Sequence, residues 1–445
     1  MRRLLMGATA VSALAMSLSS GQAVASGFQL KEQGAAAQGR ATAGSTASAE
    51  DLSTIFFNPA GMTNLSGNGL ELNANYIVPS AKFKNGNSTT YGGGASTGGD
   101  GGDAGGGALV PSIYGMYSIS NDLKLGIGIN APYGLTTEYD DGWKGRYHAI
   151  KSELKTMNIQ PSIAYRVSPL ISVGGGLNFQ RAEAELTNAV DHGRIRRSLG
   201  ISTAVAGGED GITKLEGDDW GMGFTAGMTI QPREDTRVGI SYKSKVEHTL
   251  DGDITQTNVP NYAVASLAAA FRNTGATADL TTPDVLSFGV HHEISPRWAV
   301  MADAAWTNWS VFDELRVKRK DGLADSVKDE SWEDTWFLAL GTEYKATDKL
   351  TLNFGVAYDQ SPVSDSHRTA RIPDSDRTWV SAGLGYQFTD TLRLNTAYTH
   401  IWVANANIND TTSALASPLN NTTDTLNGSY ESSIDIFTVG VTATF

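Results

Sequence analysis

Leu350-Thr351-Leu352-Asn353-Phe354-Gly355-Val356-Ala357-Tyr358 decides how this chain folds. Leu350, Leu352, Phe354, Val356 and Tyr358 are apolar, and Thr351, Asn353, Gly355 and Ala357 between them are small or polar. Period two is the period of a β-strand, whose successive side chains point to opposite faces. The same alternation returns at Leu123, Leu125, Ile127 and Ile129, at Met157, Ile159, Ile163 and Tyr165, and at Trp220, Met222, Phe224 and Met228. It recurs at Trp298, Val300 and Ala302, at Leu392, Leu394 and Tyr398, and at Phe437, Val439, Val441 and Phe445. Counted along the chain, the pattern predicts fourteen strands.

The connections fall into two kinds that alternate. Short polar turns such as Ser120-Asn121-Asp122 and Thr389-Asp390 take turns with long stretches, roughly 83–107, 135–150, 183–218, 246–283, 312–331, 360–375 and 404–430. Outer-membrane barrels have an even number of strands, short periplasmic turns and long outer loops. A soluble sandwich has no reason to put all its long loops at one end. Aromatic residues agree: Tyr117, Tyr165, Trp298, Tyr344 and Tyr386 lie near short turns, and Trp306, Trp336, Tyr358 and Tyr398 near long loops. Two girdles at the headgroup levels follow. The fold expected is an all-β, 14-stranded antiparallel transmembrane β-barrel.

Composition supports this and removes competitors. The 445 residues include 49 glycines and no cysteine, with 34 Lys+Arg against 47 Asp+Glu. Lack of cysteine excludes disulfide frameworks and thiolate chemistry. An acidic balance without basic clusters argues against nucleic acid as a partner. Arg2 and Arg3, a weak apolar run and Ala23-Val24-Ala25 make residues 1–25 a predicted signal peptide, with export following. The longest apolar run with helical character, 262–271, is about half the length of a membrane-spanning helix.

A barrel of this size leaks unless it is filled. Its predicted inward residues are mostly small, among them Gly126, Gly128, Gly174, Gly355 and Gly383, which suits close approach by other backbone. The segment before the first strand, 26–67, is rich in Ala and Gly, shows no alternation, and is the predicted filler. Residues 68–445 form the predicted barrel.

In that segment Gly27-Phe28-Gln29-Leu30, Gln38-Gly39-Arg40-Ala41 and Asn58-Pro59-Ala60-Gly61-Met62 resemble the N-terminal hatch of the FadL family of outer-membrane long-chain fatty acid transporters. The resemblance continues through Asn130-Ala131-Pro132-Tyr133-Gly134-Leu135, Tyr358-Asp359-Gln360-Ser361-Pro362-Val363 and Ile372-Pro373-Asp374-Ser375-Asp376-Arg377. It implies passive transport in the outer membrane of a Gram-negative cell. A hydrophobic substrate would lodge in an apolar groove between outer loops, enter a luminal pocket, and leave sideways at a kinked third strand after the hatch rearranges. Hatch residues would then include Gly27, Phe28, Asn58, Pro59 and Ala60, and the lateral gate Asn130, Pro132, Tyr133 and Gly134.

Local chemistry bears on each part. Pro132 donates no ladder hydrogen bond, so strand pairing should fail there, although the strand could equally end at the rim. The predicted helix at 262–271 puts Val264, Leu267 and Phe271 on one face, with Ile195 and Leu199 of the 183–218 connection opposite; packing on the barrel mouth is the alternative. A carboxylate head group suits an Arg fork. Arg181 sits where the resemblance places a luminal arginine, but strict alternation from Phe179 turns it outward unless a bulge intervenes. Arg377 falls inward, and either binds substrate or holds the hatch through an acid.

Gly98-Gly99-Asp100-Gly101-Gly102-Asp103 is expected to be an outer loop rather than a calcium site, and the scattered histidines make no metal cluster. Neither cofactor nor metal is expected. Expected partners are long-chain fatty acids or similar molecules, outer-membrane lipid and lipopolysaccharide, and the barrel-assembly machinery through the terminal Phe445. The protein is expected to be a monomer. The competing functions are a channel for aromatic hydrocarbons, which needs no carboxylate partner, and a barrel hydrolase, which needs catalytic residues at the outer rim.

Overall fold

The computed structural model describes residues 27–90, 94–411 and 424–445. The predicted signal peptide, 1–25, and Ser26 lie outside the described residues. Fourteen wall strands follow in chain order: β1 Gly69–Asn85, β2 Ala108–Ser118, β3 Leu123–Asn130 resuming as Gly134–Glu138, β4 Lys151–Arg166, β5 Ile171–Asp191, β6 Asp210–Arg233 and β7 Thr236–Lys243 resuming as Val246–Thr257. Then come β8 Thr274–Thr282 resuming as Val285–Ser295, β9 Trp298–Thr307, β10 Thr335–Lys345, β11 Leu350–Asp359, β12 Arg377–Thr389, β13 Leu392–Val403 resuming as Ala406–Asp410, and β14 Leu426–Thr444. A small hairpin, Glu314–Arg319 with Ser326–Asp329, stands in the connection after β9.

Each strand pairs antiparallel with its neighbour in sequence. The last closes on the first, from Gly69 opposite Thr444 to Asn85 opposite Gly428. Closure removes both sheet edges, the only way a sheet satisfies its backbone in hydrocarbon. At the seam Asn68 and Phe445 exchange two backbone hydrogen bonds of 3.0 and 2.9 Å. The greasy alternate positions face out: Leu352, Phe354, Val356 and Tyr358 are all exposed.

Three connections are shorter than the sequence suggests, one of them 404–430, into which β13 runs to Asp410 and from which β14 starts at Leu426. β5 continues to Asp191 and β6 begins at Asp210, so the 183–218 connection shrinks to 192–209. Likewise β7 and β8 extend into 246–283. Alternation of hydropathy stops there because the strands leave the bilayer, but pairing does not. β6 has 24 residues, more than twice the roughly 9–11 that cross a bilayer. Above the greasy band its outward residues are Lys214, Glu216 and Asp218, in ion pairs with their neighbours.

Residues 27–65 lie inside the barrel and are mostly buried. Two short helices, α1 Ala35–Gln38 and α2 Thr54–Phe57, precede a 3-10 turn at Pro59–Asn64. The inward glycines mark where this segment meets the wall. A Cβ on Gly355 would stand 2.1 Å from the Arg40 carbonyl oxygen, and one on Gly174 would stand 2.4 Å from the Ala60 nitrogen. Neither site could hold a side chain without moving backbone. Asn58 fixes the far end of the segment: its side-chain amide donates to the carbonyls of Thr46 (2.8 Å) and Met228 (3.1 Å), and its oxygen accepts from the Ala60 N–H (3.2 Å). Arg40 is buried and ion-paired to Glu50 at 2.5 Å and to Glu343 of β10 at 3.4 Å.

Candidate functional site

The third strand is interrupted. β3 stops at Asn130 and resumes at Gly134, and Pro132 within the gap has no N–H to give. The backbone groups freed there are taken up from inside the barrel. Leu30 N–H donates to the Pro132 carbonyl and Gly134 N–H donates to the Phe28 carbonyl, both at 2.8 Å. Gln29 and Tyr133 thereby form an isolated antiparallel bridge. Rather than ending at the rim, the strand continues beyond its break.

Phe28 is held by aromatic side chains. Its ring lies 4.7 Å from Trp309, 5.5 Å from Trp332, 5.6 Å from Phe312 and 5.9 Å from Tyr133, three of the four edge-on. Edge-to-face pairs are the favoured geometry for ring quadrupoles. Tyr133 is itself fixed by its hydroxyl on the Pro283 carbonyl at 3.0 Å. Gly27 donates its N–H to Asp374 at 2.9 Å, and Asp374 is ion-paired to the fully buried Arg377. Arg377 therefore points inward but is engaged in anchoring the start of the segment.

A cavity of about 400 Å³ spans the wall at the break. Leu30, Tyr133 and Thr156 line it from the lumen, and Ile129, Met157 and Arg181 from the lipid side. Asn130 is buried on the luminal side, its side-chain oxygen accepting from Asn158 at 3.3 Å. A smaller space of about 70 Å³ lies across Leu30, between the N-terminal segment and β7–β10. Lys31 and Lys243 line it. Sequence reading missed both lysines; the inward parity of Lys243 after Gly239 and Ser241 was the available signal.

Arg181 requires a correction. β5 and β6 run in unbroken register from Ile171 opposite Ile230 to Asp191 opposite Asp210, so no bulge turns Arg181 inward. It projects outward, 2.8 Å from Glu183 and 3.3 Å from Asp218.

The outer loops bring together part of the expected apolar set. Helix α3 His192–Ser198 and helix α4 Ala265–Ala270 meet in a cluster of Val190, Ile195, Tyr262, Leu267 and Phe271. Val264 and Leu199 are not in it; they are 42% and 45% exposed. Val264 caps α4, which is shorter than the predicted helix at 262–271, and Leu199 follows α3, a helix the sequence reading did not predict. At the base His192 Nδ1 stands 2.6 Å from the Tyr262 hydroxyl. Burial lowers the His192 pKa and pushes that of Tyr262 up to about 12, so both are neutral near pH 7.

In the glycine-rich loop, Asp103 accepts from the Ala81 and Gly105 backbone and Asp100 pairs with Lys144, as a structural loop would. Among the described residues no group of carboxylates and imidazoles is disposed to hold a metal.

A closed barrel with an occupied bore and a break in its wall is an architecture suited to outer-membrane transport. The family described as Outer membrane protein transport protein (OMPP1/FadL/TodX) matches residues 16–445, and the chain belongs to it. It is 32% identical over 405 residues to the long-chain fatty acid transport protein of Escherichia coli O6:H1, covering 87% of this chain and 90% of that one. To the 47 kDa outer membrane protein of Pasteurella multocida it is 34% identical over 400 residues, with the same coverage. The crystal structure of a Pseudomonas aeruginosa FadL homologue superposes with a TM-score of 0.86 at 27% identity, covering 94% of this chain and all of that one. The Pseudomonas putida toluene transporter TodX shares the fold, with a TM-score of 0.67 at 17% identity.

Proposed function

We propose that this protein carries long-chain fatty acids or similar hydrophobic molecules across the outer membrane by passive diffusion along a gated path. The path begins at the apolar surface between α3 and α4 and continues into the lumen. It leaves through the wall at the β3 break once the N-terminal hatch, residues 26–67, has shifted. Support for a fatty acid substrate comes from the relative in Escherichia coli O6:H1, named for that transport. The observation that carries the gating reading is that residues 28–30 supply the hydrogen bonds the broken strand lacks. Leu30 also lines both the lateral cavity and the smaller luminal space, so moving it would join the two.

A cross-link tests this. Gln29 and Tyr133 face each other in a non-hydrogen-bonded bridge, where Cα atoms stand about 4.5 Å apart, within disulfide range. The chain has no cysteine of its own. In the double variant Gln29→Cys/Tyr133→Cys, oxidation should abolish oleate uptake and a reductant should restore it. Uptake that is indifferent to the cross-link would refute the gate.

A further inference from the structure

Lys243 is an inward residue at the point where β7 breaks, and its surroundings are unusual for a cation inside a protein. Its ammonium sits 3.2 Å from the centroid of the Phe56 ring. Among the described residues no carboxylate lies within 4.0 Å of it, and its side chain donates no hydrogen bond. Other luminal cations are better served. Arg40 and Arg377 have carboxylates, and Arg237 donates to the Ala47 and Ser48 carbonyls. Lys243 is half-buried, and a cation withdrawn from water is ordinarily paired, because losing hydration without a counter-ion is costly.

Lys31, on the hatch, faces the same space. Its ammonium is 2.7 Å from Gln29 Oε1 and 4.5 Å over the Phe337 ring, with no ion pair inside 4.0 Å among the described residues. One carboxylate, Asp303, borders the space, but it accepts the Thr46 N–H at 3.3 Å and reaches neither ammonium. Two cations thus share a pocket whose lining holds one engaged acid, with Asp359 and Glu32 also acting on Lys31. At about 70 Å³ the pocket holds roughly five waters, or a carboxylate with its first methylenes. Leu30 forms its wall toward the lateral cavity.

We infer that Lys31 and Lys243 form an anion site for the carboxylate of an amphipathic substrate, with its hydrocarbon chain directed past Leu30 toward the wall opening. The inference rests on the transport reading above and adds the head-group partner to it. A carboxylate bridging the two ammoniums ties the hatch to the β7 wall and distinguishes acids from neutral molecules of the same length. Arg181 and Arg377 play no part in this recognition.

The test is equilibrium binding of oleate and of oleyl alcohol to the purified full-length protein in nonionic detergent. Lys243→Met should weaken oleate binding by about tenfold to a hundredfold, the range of a lost charge-assisted hydrogen bond, and change alcohol binding by less than about twofold. Lys243→Arg should retain most of the oleate affinity. Lys31→Met should behave like Lys243→Met, and the double variant should lose less than the two single losses combined, since both lysines meet one carboxylate. Heat-modifiable gel mobility checks that each variant is folded. Equal losses for acid and alcohol, or an unchanged oleate affinity, would overturn the site while leaving transport standing. Wild-type protein that binds neither compound would overturn the transport reading, and the site with it.

Discussion

Gly134 donates its backbone N–H to the carbonyl oxygen of Phe28 across 2.8 Å. One residue belongs to the wall and the other to the segment inside it, so the same bond completes the sheet and fastens the hatch. A sheet in hydrocarbon cannot leave a donor unmet. On the gating proposed above, the segment would withdraw only as water or substrate reaches the break, which would link opening to occupancy.

Phe28→Ala should loosen this seal. The substitution removes a ring packed against four aromatic residues and should cost about 3–5 kcal/mol of local stability. The barrel itself, closed through β1 and β14, should still assemble. Planar-bilayer recordings should show openings more frequent than in the wild type. A silent channel would mean that Phe28 does not hold the seal.

Asn58→Ala should free the other end of the segment. It removes an amide that donates to the carbonyls of Thr46, Met228 and Ile240 and an oxygen that accepts from Ala60, worth about 1–3 kcal/mol together after exchange with water. Hydrogen exchange should quicken in residues 54–64 and stay unchanged in the wall strands. Uniform quickening would mean that Asn58 supports the whole barrel instead.

Much of this architecture was legible because hydrocarbon leaves a signature. Leu350 to Tyr358 shows it: every second residue meets lipid and must be apolar, so the strand can be read from hydropathy alone. The signature disappears where lipid does. Beyond Phe179 and Trp220 the outward residues become Arg181, Glu183 and Asp218, and the strands look like loops although their pairing is unbroken. Contacts between distant segments are equally silent. Nothing local to Gly134 announces a bond to Phe28, and Lys243 differs from a solvated lysine only in the Phe56 ring and the Lys31 that share its surroundings. That residues 27–65 lie inside the bore was legible through their glycine and alanine content, because close backbone approach demands small residues on both sides.

Arg181→Ala should be almost without effect on oleate affinity, by less than about twofold. The residue lies outside the barrel with a 39% exposed side chain, in ion pairs of the surface kind that contribute about 0–1 kcal/mol. Equilibrium binding measured beside Lys243→Met separates a head group held at Arg181 from one held at the lysines directly. A large loss at Arg181 would place the head group at the lipid-side mouth of the wall cavity.

The outer cap should loosen as pH rises. Glu330 follows the small hairpin outside the membrane and is 4% exposed, and burial pushes its carboxyl up to about 8, with Lys328 and Arg371 opposing the shift. Because the folded-state pKa exceeds the unfolded value of 4.5, the protonated form is the one the fold prefers. The stability it contributes is fully present below about pH 4.5 and is lost as pH climbs through 8. Hydrogen exchange of residues 326–334 should therefore be faster in the wild type than in Glu330→Gln at pH 8.5, and nearly equal in the two at pH 4. Trp332, two residues on, packs 5.5 Å from Phe28, so the same loosening should reach the seal. Oleate-independent conductance should rise with pH in the wild type and stay flat in Glu330→Gln; parallel pH profiles would exclude Glu330 as the titrating group.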